Sequence, residues 1–230
     1  MVLQSHTINY SMIKLRGIYM KKIGKSFLIY FIGIVVLTLG ITLTIQSQLG
    51  TSPFDALLVG LFRTFGLTIG SWEIVVGSAM VLLNAIALKA RPELLVILTS
   101  IITGFGIDTW LLLLGEWLLP NHLLDQVILL LLGILFSAIG IAIYLESNFA
   151  PNPIDRSMVI LTDKTGWSFG RSRAIISIGL VIIALFFNGA VGIGTLLNAL
   201  ITGVIIQWIR PYVLVILYKR PVASKHVTIK

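Results

Sequence analysis

"QLGTSPFDAL" (residues 48–57) places a proline and an acid directly after a long apolar run, and "NFAPNPIDRS" (148–157) does so again, with Pro153 at the place of Pro53 and Asp155 at that of Asp55. A shift of 100 residues also carries Gly33 onto Gly133, Gly40 onto Gly140, Ser47 onto Ser147, Gly66 onto Gly166 and Gly70 onto Gly170. At a shift of 99, Thr103 and Gly104 meet Thr202 and Gly203, and Asp108 meets Gln207. The pattern reads as a duplication in which each half runs long helix, short apolar segment, long helix, long helix.

The quoted stretch starts a helix. Ser52 and Asn152 suit the N-cap, Pro53 and Pro153 the first helical position, Asp55 and Asp155 the position three after the cap, and Gly66 and Gly166 the close. About 14 residues at 1.5 Å each reach about 21 Å, short of a hydrocarbon core roughly 30 Å thick. Each short segment is therefore expected to be re-entrant or interfacial.

The rest of the chain requires a membrane. With 57% hydrophobic and 11% charged residues and a mean hydropathy of +1.01, it lies outside the range of water-soluble domains. Six stretches are long enough to span: Ser26 to Ile45, Ser71 to Leu88, Leu94 to Leu114, Val127 to Leu145, Ala174 to Phe187 and Val191 to Ile209. The basic stretch before Ser26 resembles the start of a signal peptide. The run that follows it is too long for a signal-peptide core and lacks a small-residue cleavage site, so it reads as an uncleaved helix, and Met20 is a plausible start. The organisation expected is a basic tail (1–25), a first membrane repeat (26–120), a second (121–211) and a basic C-terminal tail (212–230).

Charge placement decides the topology. If the short segments do not cross, each half has three spans, the halves are inverted, and every Lys and Arg except Arg63 falls on the side of the N-terminus. If they cross, Lys89, Arg91 and Arg156 fall outside. The first arrangement obeys the positive-inside rule better, and "GEWLLPNHLLD" (115–125), with Glu116 and Asp125 but no Lys or Arg, fits the outer face. The fold expected is an all-α polytopic bundle of two inverted three-span halves, both tails cytoplasmic.

Three motifs carry a resemblance to a known family. They are the Gly-x-x-Pro-aromatic-Asp turn at Gly50, Pro53, Phe54 and Asp55, the Gly-x-[Ser/Thr]-x-Gly turn of "GLTIG" (66–70), and the helix start at Gly192, Gly194, Thr195, Asn198 and Ala199. On these the chain, from about Lys25 to Pro211, resembles the YczE/YyaS/YitT family of bacterial integral membrane proteins. The resemblance implies a fold group in the bacterial cytoplasmic membrane and no particular reaction. The copy of the first motif has Ala150 for the glycine and Ile154 for the aromatic, and the first half has Arg91, Pro92 and Glu93 where the helix-start motif belongs.

Polar residues within a membrane mark partners or pathways. Asp55 and Asp155, at two helix N-termini, are candidates to hold a polar or charged solute together with Pro53 and Pro153; the plainer reading is that each acid completes its own capping box. Gln46, Gln48, Glu146 and Asn148 precede the two turns and suit either a polar vestibule or ordinary interfacial helix ends. Arg156 is expected to pair with Asp155 or Glu146, or to anchor a lipid headgroup. Asn198 and Asn84 suit interhelical hydrogen bonding, and Asn198 joins the solute-binding candidates. Asp108, a lone acid in an apolar run, is the candidate ion-coupling group, held by a neighbouring helix or by Arg63 or Arg156.

With no cysteine and three scattered histidines, no metal centre or cofactor is expected, and no enzyme motif stands out. The basic set, including Arg171 and Arg173, is expected to meet anionic lipid headgroups at the cytoplasmic face, not nucleic acid. The function expected is a permease for a small solute; the alternative is an accessory or regulatory membrane protein that transports nothing.

Overall fold

The structure is a computed structural model that describes residues 3–147 and 149–218, with side chains from 24–147 and 149–217. Asn148, the basic side chains before residue 24, and Lys219, Arg220 and Lys225 lie outside the described residues.

Eight helices form among the described residues: α1 (Leu3–Gln46), α2 (Pro53–Phe65), α3 (Ile69–Leu88), α4 (Leu94–Leu114), α5 (Leu123–Glu146), α6 (Pro153–Thr165), α7 (Phe169–Phe186) and α8 (Ile193–Tyr218). Six are long and apolar enough to cross a membrane, over Gly24–Gln46, Ile69–Leu88, Leu94–Leu114, Leu123–Glu146, Phe169–Phe186 and Ile193–Leu217. The count matches the sequence reading, while three ends differ for local reasons. Helix α5 starts inside the expected loop, with Asp125 in its first turn where a negative charge meets the positive end of the helix dipole. Helix α7 starts at the Ser168 cap and takes in Arg171 and Arg173, which a hydropathy reading excludes. Helix α8 continues through Pro211, a break that membrane helices tolerate where neighbours satisfy the freed groups.

The short helices form for the reasons the sequence gives. The Ser52 hydroxyl accepts the Asp55 N–H, Pro53 opens α2, and Gly66 ends it at φ 78°. Asn152 caps α6 by accepting the Ile154 N–H, and Gly166 ends that helix in the left-handed region. Before α2 the chain doubles back along α1, so that the hydroxyls of Thr44 and Thr51 lie 2.7 Å apart. From Pro53 to Leu61 every residue of α2 is buried, so this helix is enclosed by the bundle and does not lie on an interface.

Helix pairing follows the small residues, because between apolar helices in lipid close backbone approach supplies the attraction that hydrophobicity cannot. The α1–α5 pair is the most extensive and runs antiparallel, with Gly33 against Tyr144 and Gly40 against Ser137. A β-carbon on Gly33 would lie 2.6 Å from the Tyr144 backbone nitrogen, so only glycine fits. Around this pair α4 packs on α1 and α8 on α5, while α2 lies on α7 and α6 on α3.

Candidate functional site

The N-termini of α2 and α6 meet at a cavity of about 110 Å³. One water needs about 10–15 Å³ by this measure, so the space suits a small solute or several waters. Helices α2 and α6 contribute Ser52, Pro53, Asp55, Asn152 and Asp155; α5 adds Ser137 and Tyr144; α7 adds Arg173 and Ser177; α8 adds Asn198 and Thr202. Leu37 and Ile41 of α1 form an apolar wall.

The two acids are held differently. At Asp55 the Ser52 hydroxyl accepts the backbone N–H and donates 2.5 Å to the carboxylate, so one side chain serves cap and acid together. Asp155 makes no bond to its own cap; its carboxylate accepts the hydroxyl of Tyr144 across from α5. The reciprocal capping box expected of each acid is incomplete at both: the Asp55 carboxylate takes the Ser52 hydroxyl instead of its backbone N–H, and Asn152 reaches only the Ile154 N–H. Burial pushes the Asp55 carboxyl up to about 6 against the downward pull of Ser52. Burial also raises Asp155, against the Tyr144 hydrogen bond and the charge of Arg173.

Of the residues expected to bind solute or a coupling ion, Pro53, Asp55, Asp155 and Asn198 line this cavity, and Pro153, Arg156, Gln46, Glu146 and Asp108 do not. Pro153 packs toward Gly77 of α3. Gln46 donates 3.1 Å to the Gly115 carbonyl, tying α1 to the end of α4. Glu146 is bound by Arg210 at 2.5 Å and lies outside the lining of this cavity. Arg156 pairs with neither Asp155 nor Glu146, since its guanidinium forks onto Glu93 of α4. Among the described residues Asp108 meets no basic side chain: it accepts the Gly70 N–H at 2.8 Å and the Thr68 hydroxyl at 2.6 Å, and so binds the start of α3. Arg63 donates to the Asn188 carbonyl. Asn84 accepts the Ser157 hydroxyl, the interhelical bond expected of it.

Sequence reasoning missed Tyr144, Ser177 and Thr202 in the cavity, and it assigned Arg173 to the lipid surface. A signal was available for Arg173, which a shift of 100 residues brings onto Glu73, another ionisable residue next to an apolar run.

The helix-start motif docks one half on the other. The Gly194 N–H donates to the Leu49 carbonyl and the Thr51 N–H to the Ala190 carbonyl, while Gly50 sits at φ 107° with its Cα face against Gly192. Both glycines are required there, by the positive φ and by the backbone contact. The second turn lacks that conformation, so Ala150 is accommodated, and the Arg156–Glu93 ion pair ties the start of α6 to the start of α4 instead.

Six apolar spans around a polar cavity, with two short helices aimed into it, define a polytopic α-helical integral membrane protein. The chain belongs to the family described as "Family of unknown function (DUF6198)", whose model matches residues 24–211. It is 42% identical over 187 residues to the "Uncharacterized protein YyaS" of Bacillus subtilis, covering 81% of this chain and 93% of that one. It is 31% identical over 185 residues to the "Uncharacterized membrane protein YczE" of the same organism, covering 79% and 84%, and 29% identical over 184 residues to an "Uncharacterized protein" of Haemophilus influenzae, covering 80% and 83%. The YczE/YyaS resemblance read from the motifs thus holds. No solved structure matches the chain.

Proposed function

We propose that the protein is a permease that carries a small polar solute across the bacterial cytoplasmic membrane, holding it between the N-termini of α2 and α6. One observation carries this reading. Helices α3 and α4 are packed backbone to backbone, whereas α7 and α8, which stand at the matching positions of the second half, hardly meet and have the cavity between them.

An inverted duplication accounts for that asymmetry as one of two exchangeable states. The antiparallel pairing of α1 with α5 supports the inversion, as does the reciprocal placement of α2 on α7 and α6 on α3. In the other state α7 and α8 close while α3 and α4 part, and the solute site opens to the opposite side. The exposed amides of two helix N-termini and Arg173 suit an anionic group of the solute, and Asp55 and Asp155 a cationic or hydroxyl group. The work is binding and release; no bond is made or broken. The basic residues of the N-terminal side meet anionic lipid headgroups at the cytoplasmic face.

The test is an untargeted comparison of solutes accumulated by vesicles carrying the wild-type protein or Asp155→Asn. A solute accumulated by the first and not by the second, with both proteins folded, supports the site. No difference between wild-type and empty vesicles gives the accessory reading instead. Single cysteines on this cysteine-free background test the topology with an impermeant thiol reagent. Lys89→Cys is expected on the cytoplasmic face and His122→Cys on the outer one, and finding both on one face ends the three-plus-three arrangement.

A further inference from the structure

The closed seam between α3 and α4 contains chemistry that the cavity does not use. One buried face of α3 presents Gly70, Glu73 and Gly77, and the buried face of α4 presents Ser100, Thr103 and Gly104. Gly70 abuts Gly104 and Gly77 abuts Ser100. Glu73 stands about one helical turn from either glycine, on the same buried face of α3. The side chain is 1% exposed. Its Oε1 has no hydrogen-bond partner, and the same holds for Ser100 Oγ and Thr103 Oγ1. Three orphaned oxygens along one helix seam call for an explanation.

The neighbours offer no positive charge. Among the described residues no basic side chain pairs with Glu73, and the charged group that acts on it through space is a second acid, Asp55 of α2. On α4, Asp108 is occupied by Thr68 and Gly70, and Glu93 by Arg156. On α6, Asp155 holds the Tyr144 hydroxyl and Lys164 donates to the Ala87 carbonyl. An ionised carboxylate enclosed here would cost several kcal/mol with nothing to offset it. A carboxylic acid avoids that cost.

We propose that Glu73 is a proton-exchange site: it holds a proton while the α3–α4 seam is closed and releases it to water when the seam opens, which couples that opening to proton movement. The step is a plain acid dissociation, Glu73–COOH to carboxylate plus a proton on water. It rests on the reading that the two seams open in turn, and it places coupling at Glu73, leaving Asp108 to position the start of α3.

Two measurements on the full chain in lipid vesicles test it. Infrared difference spectra at neutral pH are expected to contain a protonated-carboxyl band that exchanges slowly in D₂O, is lost in Glu73→Gln and survives in Asp55→Asn. Absence of a band that depends on Glu73 overturns the proposal, even if solute still accumulates. The band does not depend on transport, so a protein that carries no solute still shows it if Glu73 holds the proton. The second measurement is thiol labelling of Thr103→Cys. Taking the ratio of rates in the Glu73 and Glu73→Gln backgrounds cancels the thiol's own ionisation. That ratio is expected to rise several-fold from neutral to alkaline pH, and a flat ratio overturns the coupling. Glu73→Met, which has no polar atom to place in the seam, gives the same comparison if Glu73→Gln does not fold.

Discussion

At Gly70 and Gly104 two helices touch backbone to backbone; at Gly170 nothing would meet an added β-carbon, and at Gly203 only the Arg173 guanidinium comes within 4 Å. Glycines that match at shifts of 100 and 99 residues thus line a closed seam in one place and an open one in the other. What fills the seams explains the difference. Glu73 can lose its charge and be buried, whereas the Arg173 guanidinium lies part-buried at the open cavity, where its charge acts on Asp155. Asp108 adds a latch by binding two groups at the start of α3, while Gln207 at the matching place is exposed. Glu73 where the matching position has Arg173, and Asp108 where it has Gln207, thus accompany a closed seam and an open cavity.

The comparison breaks most visibly at the glycines. Gly104→Val is expected to cost about 3 kcal/mol or more by forcing α3 and α4 apart, and Gly203→Val less than about 0.5 kcal/mol, read as thermal unfolding in detergent. If α7 and α8 must close during transport, Gly203→Val nonetheless abolishes solute accumulation. Equal stability losses at the two sites would falsify the asymmetry. Thiol labelling comes next: Ala199→Cys is expected to react at least about tenfold faster than Ser100→Cys, since an opening cost of about 1.4 kcal/mol already gives that ratio. Adding Arg173→Leu is expected to slow Ala199→Cys by letting α7 and α8 approach, and an unchanged rate removes Arg173 as the element that holds the cavity open.

At the latch, Asp108→Ala is expected to lose about 1 to 2 kcal/mol and Asp108→Asn less, because one acceptor remains, with Gln207→Ala within about 0.5 kcal/mol. A larger loss at Gln207 than at Asp108 would reverse their assignment. The mildest effect belongs to pH. Burial raises Asp55 to about 6 in the folded protein, so the folded state binds its proton more tightly than the unfolded chain does. The associated stability is present in acid and is lost as pH rises through about 6. The unfolding temperature is expected to fall modestly between about pH 4 and about 6, and Asp55→Asn to flatten part of that fall. A slope identical in the Asn variant places the titration elsewhere.

Most of the frame was legible in the chain because it rests on local chemistry. Twenty-residue apolar runs span a bilayer wherever they occur, and Ser52-Pro53 and Asn152-Pro153 start helices through their own side chains and fixed φ. Asp55, Asp155 and Asn198 were recognisable as solute candidates because ionisable and amide groups in apolar surroundings need a reason to be there. The partners of those groups were less legible, since Arg156 finds Glu93 and Asp108 finds Gly70 across helix contacts that no sequence spacing encodes. Glu146 likewise meets Arg210 from a helix that hydropathy alone ends before it.

The sequence by itself determined six spans, two short capped helices and membership of a family. Only the tertiary structure decided that Arg173 faces a cavity, that Tyr144 holds Asp155, and that Glu73 is enclosed with two idle hydroxyls. The physical reason is the same in each case: helix formation and membrane insertion are set by residues within a turn or a span of one another, whereas the environment of a charge is set by whichever distant helix packs against it.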